Sequence, residues 1–288
     1  MSNSEDRVVS RRAVLGGAAV GVAAAGLMPA GAAYAGSGPA RKRVDEDSVD
    51  AVASGLDDDL IALRRDIHLH PEIAGQEQRT AELVAERLRT AGLEVTTGVG
   101  GHGVVGVLTG AYHGRTVAYR ADMDAVPPSA QMGGGPQPAH VCGHDVHTTI
   151  GVGVAQVLAR CWPPQRYVEV REDIHRIALS SGEAAVNFPN DPFPAMVCPR
   201  REGNALKRYL QRTRGDDQVR SLQAAVPFNG EDFALFLNRM PGTFTFLGVR
   251  TPGAAIETSF PHLGSFTPDE RAIGHGVRAM AGWLARRT

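Results

Sequence analysis

Val141-Cys142-Gly143-His144-Asp145-Val146-His147 packs one thiol, two imidazoles and a carboxylate into seven residues. A thiolate and a neutral imidazole are both good ligands for a borderline divalent ion. In an extended turn, a Cys-x-His pair points both side chains the same way. The carboxylate of Asp145 is placed to orient the ligand ring. A small buried thiol beside a core histidine would read the same over so short a stretch, so the surrounding chain decides. Just upstream, Arg120-Ala121-Asp122-Met123-Asp124-Ala125-Val126-Pro127 follows the strand-like run 115–119. Open α/β sheets keep their ligands at the carboxyl ends of strands.

Working outward, residues 93–97, 104–109 and 115–121 read as strands parted by Gly-rich turns, preceded by helices from residue 57 to about 68 and from about 76 to 91. Pro71 disfavours helix just before it, and Gly92 closes the second helix. After the Cys-Gly-His-Asp turn, 146–160 reads as a helix whose Gly151, Gly153 and Ala155 allow close packing on a sheet. Further on, 167–170 reads as a strand, 171–181 as a helix, 183–188 as an alternating strand, 202–213 and 231–238 as helices, and 243–249 as a strand. The last helix has Thr267 as a cap, Pro268 in the first turn and Glu270 to close a capping box. Its buried stripe is Ile273, Val277, Met280, Ala281 and Leu284. The class implied is α/β, a mixed sheet flanked by helices.

The 288 residues are 43% hydrophobic, enough for a real core. A net charge of −1, with no basic stripe, leaves no footprint for nucleic acid. Residues 1–35 read as a twin-arginine export signal: Ser10-Arg11-Arg12-Ala13-Val14-Leu15 opens a Gly/Ala-rich apolar run to Met28, and Ala33-Tyr34-Ala35 offers small residues for cleavage. That run is short for a stable membrane anchor. Residues 36–55 lack apolar periodicity and read as a flexible linker. Export invites disulfides, yet with three cysteines at least one thiol stays free; Cys142 is assigned that place.

Read together, the motifs resemble those of the metal-dependent amidohydrolases and peptidases related to aminoacylase and carboxypeptidase, in the branch of hippurate hydrolase and the indoleacetyl-amino-acid hydrolases. In order they are His68-Leu69-His70-Pro71-Glu72, the 120–127 stretch, His140-Val141-Cys142-Gly143-His144-Asp145-Val146-His147, Gly230-Glu231-Asp232-Phe233, and Pro261-His262 ahead of Phe266. The resemblance implies a zinc-peptidase-like catalytic domain interrupted by an inserted α+β lid that also mediates dimerisation. It implies Cys142, His144 and His262 as metal ligands, Asp124 as the supporting carboxylate, and Asp122, His147, Glu231 and Asp232 near the site. The ion would be manganese, cobalt or zinc, and the substrates N-acyl amino acids or small peptides.

The departures are as informative. The family has a Glu-Glu pair as general base and ligand, and this chain has no Glu-Glu dipeptide. A further ligand histidine should precede the lid, yet His175 is the only histidine between His147 and His262, and it falls in a helical pattern typical of the late lid. The expectation is an internal deletion near Cys161-Trp162-Pro163-Pro164. Catalytic segments then span 56–160 and 193–288, around a lid remnant at 161–192, and any homodimer is weakened. Loss of a positioned base costs a factor of about 10² to 10⁴, so turnover should be poor. The alternatives are a non-catalytic metal- or ligand-binding remnant, and a cysteine-nucleophile hydrolase using Cys142 with His144 or His147.

Overall fold

The computed structural model describes residues 45–110, 116–161, 174–179, 196–220 and 233–287. They build a four-stranded sheet and seven helices. The strands are β1 (Glu94–Val99), β2 (Gly103–Thr109), β3 (Ala118–Ala121) and β4 (Ile174–Leu179), in the order β1-β2-β4-β3. β2 pairs antiparallel with both β1 and β4, and β3 runs parallel to β4. The mixed sheet expected of an α/β chain is therefore present.

The helices are α1 (Glu46–Ser54), α2 (Asp57–Leu69), α3 (Gln78–Thr90), α4 (His144–Cys161), α5 (Arg200–Arg214), α6 (Phe233–Leu237) and α7 (Arg271–Ala285). α3 packs on β1 and β2, while α4 packs on β3 and β4 and is itself flanked by α1, α2, α3 and α7. Along β2, Val104, Gly106 and Leu108 are buried and the residues between them only partly so, the period-two signature of a sheet with one face against helices.

α4 is the axle of the core, buried almost throughout from Asp145 to Leu158. Small residues let its neighbours close in: a Cβ on Gly153 would lie 2.6 Å from Val277 Cγ2 and 2.8 Å from Leu60 Cδ1, and one on Gly276 of α7 would lie 2.6 Å from Ile150 Cδ1. α2 and α7 thus approach α4 where it has no side chain to hold them off.

Several expectations need correction. Within the 36–55 stretch, residues 46–54 form helix α1, not a flexible linker, because Val49, Val52, Ala53 and Leu56 recur at helical spacing and pack against the core. Glu46 ties this helix down by accepting from Tyr209 Oη at 2.9 Å and Arg286 Nε at 2.7 Å. Residues 174–179, read as helix within a lid remnant, form strand β4 between β2 and β3, so His175 stands on a strand opposite Leu108. The β-branched Ile174 and Ile177 suit that role, and without the strand β2 and β3 would both present open edges. Residues 243–249 make no ladder; Phe244 instead packs tilted against Phe233 and edge-on to Phe246. Thr267 does not cap α7, and Glu270 binds Arg65 at 2.9 and 2.7 Å. The segments read at 167–170 and 183–188 lie outside the described residues.

Among the described residues no helix is long and apolar enough to cross a membrane. Large apolar side chains are nevertheless exposed after Val197, among them Phe246 at 62% and Ile256 at 64%.

Candidate metal centre

Backbone hydrogen bonds lace the sequence motifs into one framework. The Ala125 amide donates to the Glu72 carbonyl at 2.7 Å, and Val126 and Ala139 exchange bonds at 3.0 and 3.1 Å. The His262 amide donates to the Val141 carbonyl at 2.7 Å, and the His262 carbonyl accepts from Met132 at 2.7 Å. A small apolar cluster of Val126, Val141 and Phe266 lies beneath. Four motifs far apart in sequence thus meet at one end of α4.

Glu72 explains its own motif. Its carboxylate accepts from the amides of Arg79 at 2.9 Å and Thr80 at 2.7 Å, and from Thr80 Oγ1 at 2.8 Å. It satisfies free N–H groups at the start of α3, a structural role.

Cys142 and His144 flank Gly143, whose φ of +90° is left-handed, and a Cβ there would lie 3.3 Å from Phe266 Cζ. α4 begins at His144 and no strand leads into Cys142, so the pair spans a tight turn into the helix in place of the extended turn expected. The Cys142 sulfur is among the groups that raise the His144 pKa. His144 Nδ1 lies 2.9 Å from Asp124 Oδ1 and 3.0 Å from the Asp124 carbonyl. With Nδ1 engaged, Nε2 is left to bind a metal, the usual arrangement of a ligand histidine held by a carboxylate. Burial opposes charge on His144, but the bond to Asp124, the Cys142 sulfur and the nearby Asp122 carboxylate raise its pKa well above the ordinary value.

Asp122 pairs with Arg120 and lies 3.4 Å from His147 Nδ1 and 4.0 Å from His144 Nε2. Burial would push its carboxyl up, yet the His147 hydrogen bond and the charges of His144 and Arg120 hold it below the usual range. His262, at a left-handed φ of 69°, has its backbone beside Val141 but its Nδ1 3.3 Å from the Ala130 carbonyl. Glu231 and Asp232 lie outside the described residues.

Asp145 is not the carboxylate that orients His144. It is fully buried and turns the other way, with Oδ2 at 2.7 Å from Arg64 Nε and 2.8 Å from His68 Nδ1. Burial alone would raise its pKa, but the His68 hydrogen bond and the Arg64 charge lower it. His140 is buried with neither ring nitrogen hydrogen-bonded among the described residues, and burial drives its pKa down to about 4 against the pull of Asp145. Reading the chain alone missed Arg64, and gave His68 and Asp145 no shared task; the signal was an Arg and a His one helical turn apart on α2.

Glu77 is wholly buried, and neither carboxylate oxygen has a hydrogen-bond partner among the described residues. Burial is the largest cause raising its pKa. A raised carboxyl pKa stabilises the fold below the unfolded-state value, and that stability is lost as pH rises through the folded-state value. Glu77→Gln should therefore gain stability over wild type as pH climbs above the ordinary Glu range, measured by urea unfolding from pH 4 to 8. Equal pH dependence in the two proteins would contradict this.

The donor chemistry of Cys142 and His144 suits a borderline divalent ion. Among the described residues, however, no group of three or more His, Cys, Asp or Glu is arranged to hold one.

No family model matches the chain. It is 45% identical over 109 residues to a protein of Synechocystis named probable hydrolase, an alignment covering 35% of this chain and 27% of that protein. Over 107 residues it is 38% identical to the N-acyl-L-amino acid amidohydrolase of Geobacillus stearothermophilus (35% and 29% covered). Over 103 residues it is 40% identical to the hippurate hydrolase of Campylobacter jejuni (34% and 27%). Over about a third of its length the chain is thus similar to proteins named as hydrolases and amidohydrolases. The match spans less than a third of the length of each of these relatives. Solved structures show the fold. Bacillus subtilis YXEP, a dinuclear metal-binding peptidase of the M20 family, superposes with a TM-score of 0.61 at 18% identity, covering 81% of this chain and 98% of that one. The Legionella pneumophila aminopeptidase LapA gives 0.55 at 13% identity, with 91% and 80% covered.

Proposed function

We propose that this chain is an exported metal-dependent hydrolase of amide bonds in N-acyl amino acids or small peptides, with an impaired site. The observation that carries the reading is the Asp124–His144–Cys142 cluster: a carboxylate 2.9 Å from His144 Nδ1 fixes the ring, with Nε2 4.0 Å from Asp122 Oδ2 and the Cys142 thiol two residues before it. Cys142 and His144 would hold the ion, manganese, cobalt or zinc, with His262 as third donor one backbone hydrogen bond from Val141. A divalent ion bound there supplies Lewis acidity and lowers the pKa of a coordinated water. The chain's own residues supply the rest: Asp124 orients His144, and the Arg120–Asp122 pair fixes the carboxylate beside both imidazoles. Related proteins named for N-acyl amino acids and hippurate support the substrate class. Export rests on the Arg11-Arg12 pair and the apolar run that follows it.

The absence of a Glu-Glu dipeptide favours a second reading, a metal-binding remnant without turnover. Hippurate hydrolysis by the mature chain separates the two. We expect a slow rate, abolished by a chelator, restored by added manganese or zinc, and lost in Cys142→Ala/His144→Ala. A rate equal to that of an intact hippurate hydrolase would overturn the impairment, and the complete absence of hydrolysis would favour the remnant. Turnover that resists chelation but not thiol alkylation would instead point to Cys142 as a nucleophile.

A further inference from the structure

We propose, independently of the hydrolase reading above, that the outer face of α5 and the apolar side chains at its amino end dock on an anionic lipid surface. The net charge of −1 conceals a local imbalance: the 15 residues Arg200–Arg214 carry six Arg or Lys and one acid, Glu202. Composition alone shows no basic stripe; winding these residues into a helix makes one. At about 100° per residue, Arg201, Arg208 and Arg212 fall within about 40° of one another, in a row about 16 Å long. All three are exposed, and none has an ion-pair partner among the described residues. Glu202 lies about 100° round the helix from Arg201, and Asp216 and Asp217 come after Gly215, beyond the helix.

The other face fixes that row in place. Leu206 is buried and Leu210 packs on the core, about 140° and 180° round the helix from Arg201. Tyr209 Oη donates to Glu46 at 2.9 Å, its ring centre lies 5.5 Å from that of Trp283, and Arg214 binds Asp50 at 2.7 Å. α5 is thus held on α1 and α7, and its arginine row is turned away from the protein.

Charge alone would suit a nucleic acid as well, and the apolar neighbours favour lipid. Val197, three residues before the helix, is 70% exposed. The Phe244 amide donates to Cys198 Sγ at 3.2 Å, which ties Phe246, 62% exposed and 5.2 Å from the Phe244 ring, to the same end of α5. Binding at a bilayer surface grows with buried apolar area and with attraction to anionic headgroups, and this end of α5 offers both. An aliphatic Val197 has no ring on which a base could stack. Because Leu206 and Tyr209 belong to the core, the helix lies on the surface and only Val197 and Phe246 dip into it.

Co-sedimentation with vesicles tests this on the chain from Gly36, which lacks the apolar run ending at Met28 and keeps the whole compact unit Arg43–Thr288. Expected is binding to vesicles of phosphatidylglycerol and phosphatidylcholine in equal parts, little to phosphatidylcholine alone, and release as salt is raised. Arg201→Gln/Arg208→Gln/Arg212→Gln should bind about 10²-fold more weakly, about fivefold per arginine, with an unchanged thermal midpoint. The matching triple Lys variant keeps the charge and should bind as wild type does. Val197→Ser should weaken binding and leave its salt dependence intact. No binding to anionic vesicles, equal binding to both vesicles, or equal binding by wild type and the triple Gln variant would overturn the proposal. Tighter binding of wild type to a DNA duplex than to anionic vesicles, lost in the triple Gln variant, would overturn the lipid surface and give the row to nucleic acid.

Discussion

Asp145→Ala should destabilise the protein by about 3–5 kcal/mol, the cost of leaving a buried partner charge uncompensated. Arg64 is 8% exposed, and its Nε lies 2.7 Å from the Asp145 carboxylate. Glu270, 3.5 Å away and itself engaged by Arg65, cannot take over. The loss should follow the sign of the shift. A carboxyl held below its usual pKa stabilises above the unfolded-state value, and that contribution disappears as pH falls through the folded-state value. Wild type and Asp145→Ala should therefore converge in acid and diverge towards neutrality. Urea midpoints that differ by the same amount at pH 3 and pH 7 would contradict the charge-based account.

Gly153→Ala should destabilise by about 1–3 kcal/mol, the usual range for overpacking a core. In a helix the added methyl would by itself gain about 1 kcal/mol, so the steric term must exceed that gain. The atoms it meets belong to Val277 and Leu60, both wholly buried, at 2.6 and 2.8 Å, and neither can swing into solvent. Gly203→Ala in α5 is the matched control, because a Cβ there has nothing within 4 Å, and it should stabilise. Thermal midpoints moving in opposite directions for the two variants would support the packing argument; a gain in both would refute it.

The elements legible in the sequence were those with one dominant local signal. α4 announced itself by its run of small and apolar residues after the Cys-Gly-His turn, and β2 by its Val-rich run between Gly-rich turns. α1 was masked by its acidic start, although Val49, Val52, Ala53 and Leu56 carry the helical spacing. β4 was misread because six residues with Ile174 and Ile177 three apart fit a helical stripe as well as a strand, and only its neighbours β2 and β3 decide the matter.

The candidate site shows the same division. Cys142, His144 and Asp124 were legible because turn chemistry and motif order place them together. The Arg64–Asp145–His68 cluster was not, since His68 and Asp145 are 77 positions apart and meet only when α2 packs on α4. Local propensity likewise made Glu270 a capping residue, whereas tertiary structure hands it to Arg65.

The central claim is a metal half-site built on Cys142 and His144, and calorimetric titration of the folded mature chain with zinc tests it most directly. The account predicts one weak site per chain, lost in Cys142→Ala/His144→Ala and weakened about 10- to 100-fold in Asp124→Ala, as removal of a ligand-orienting carboxylate does. Identical zinc binding by wild type and the double variant would contradict it.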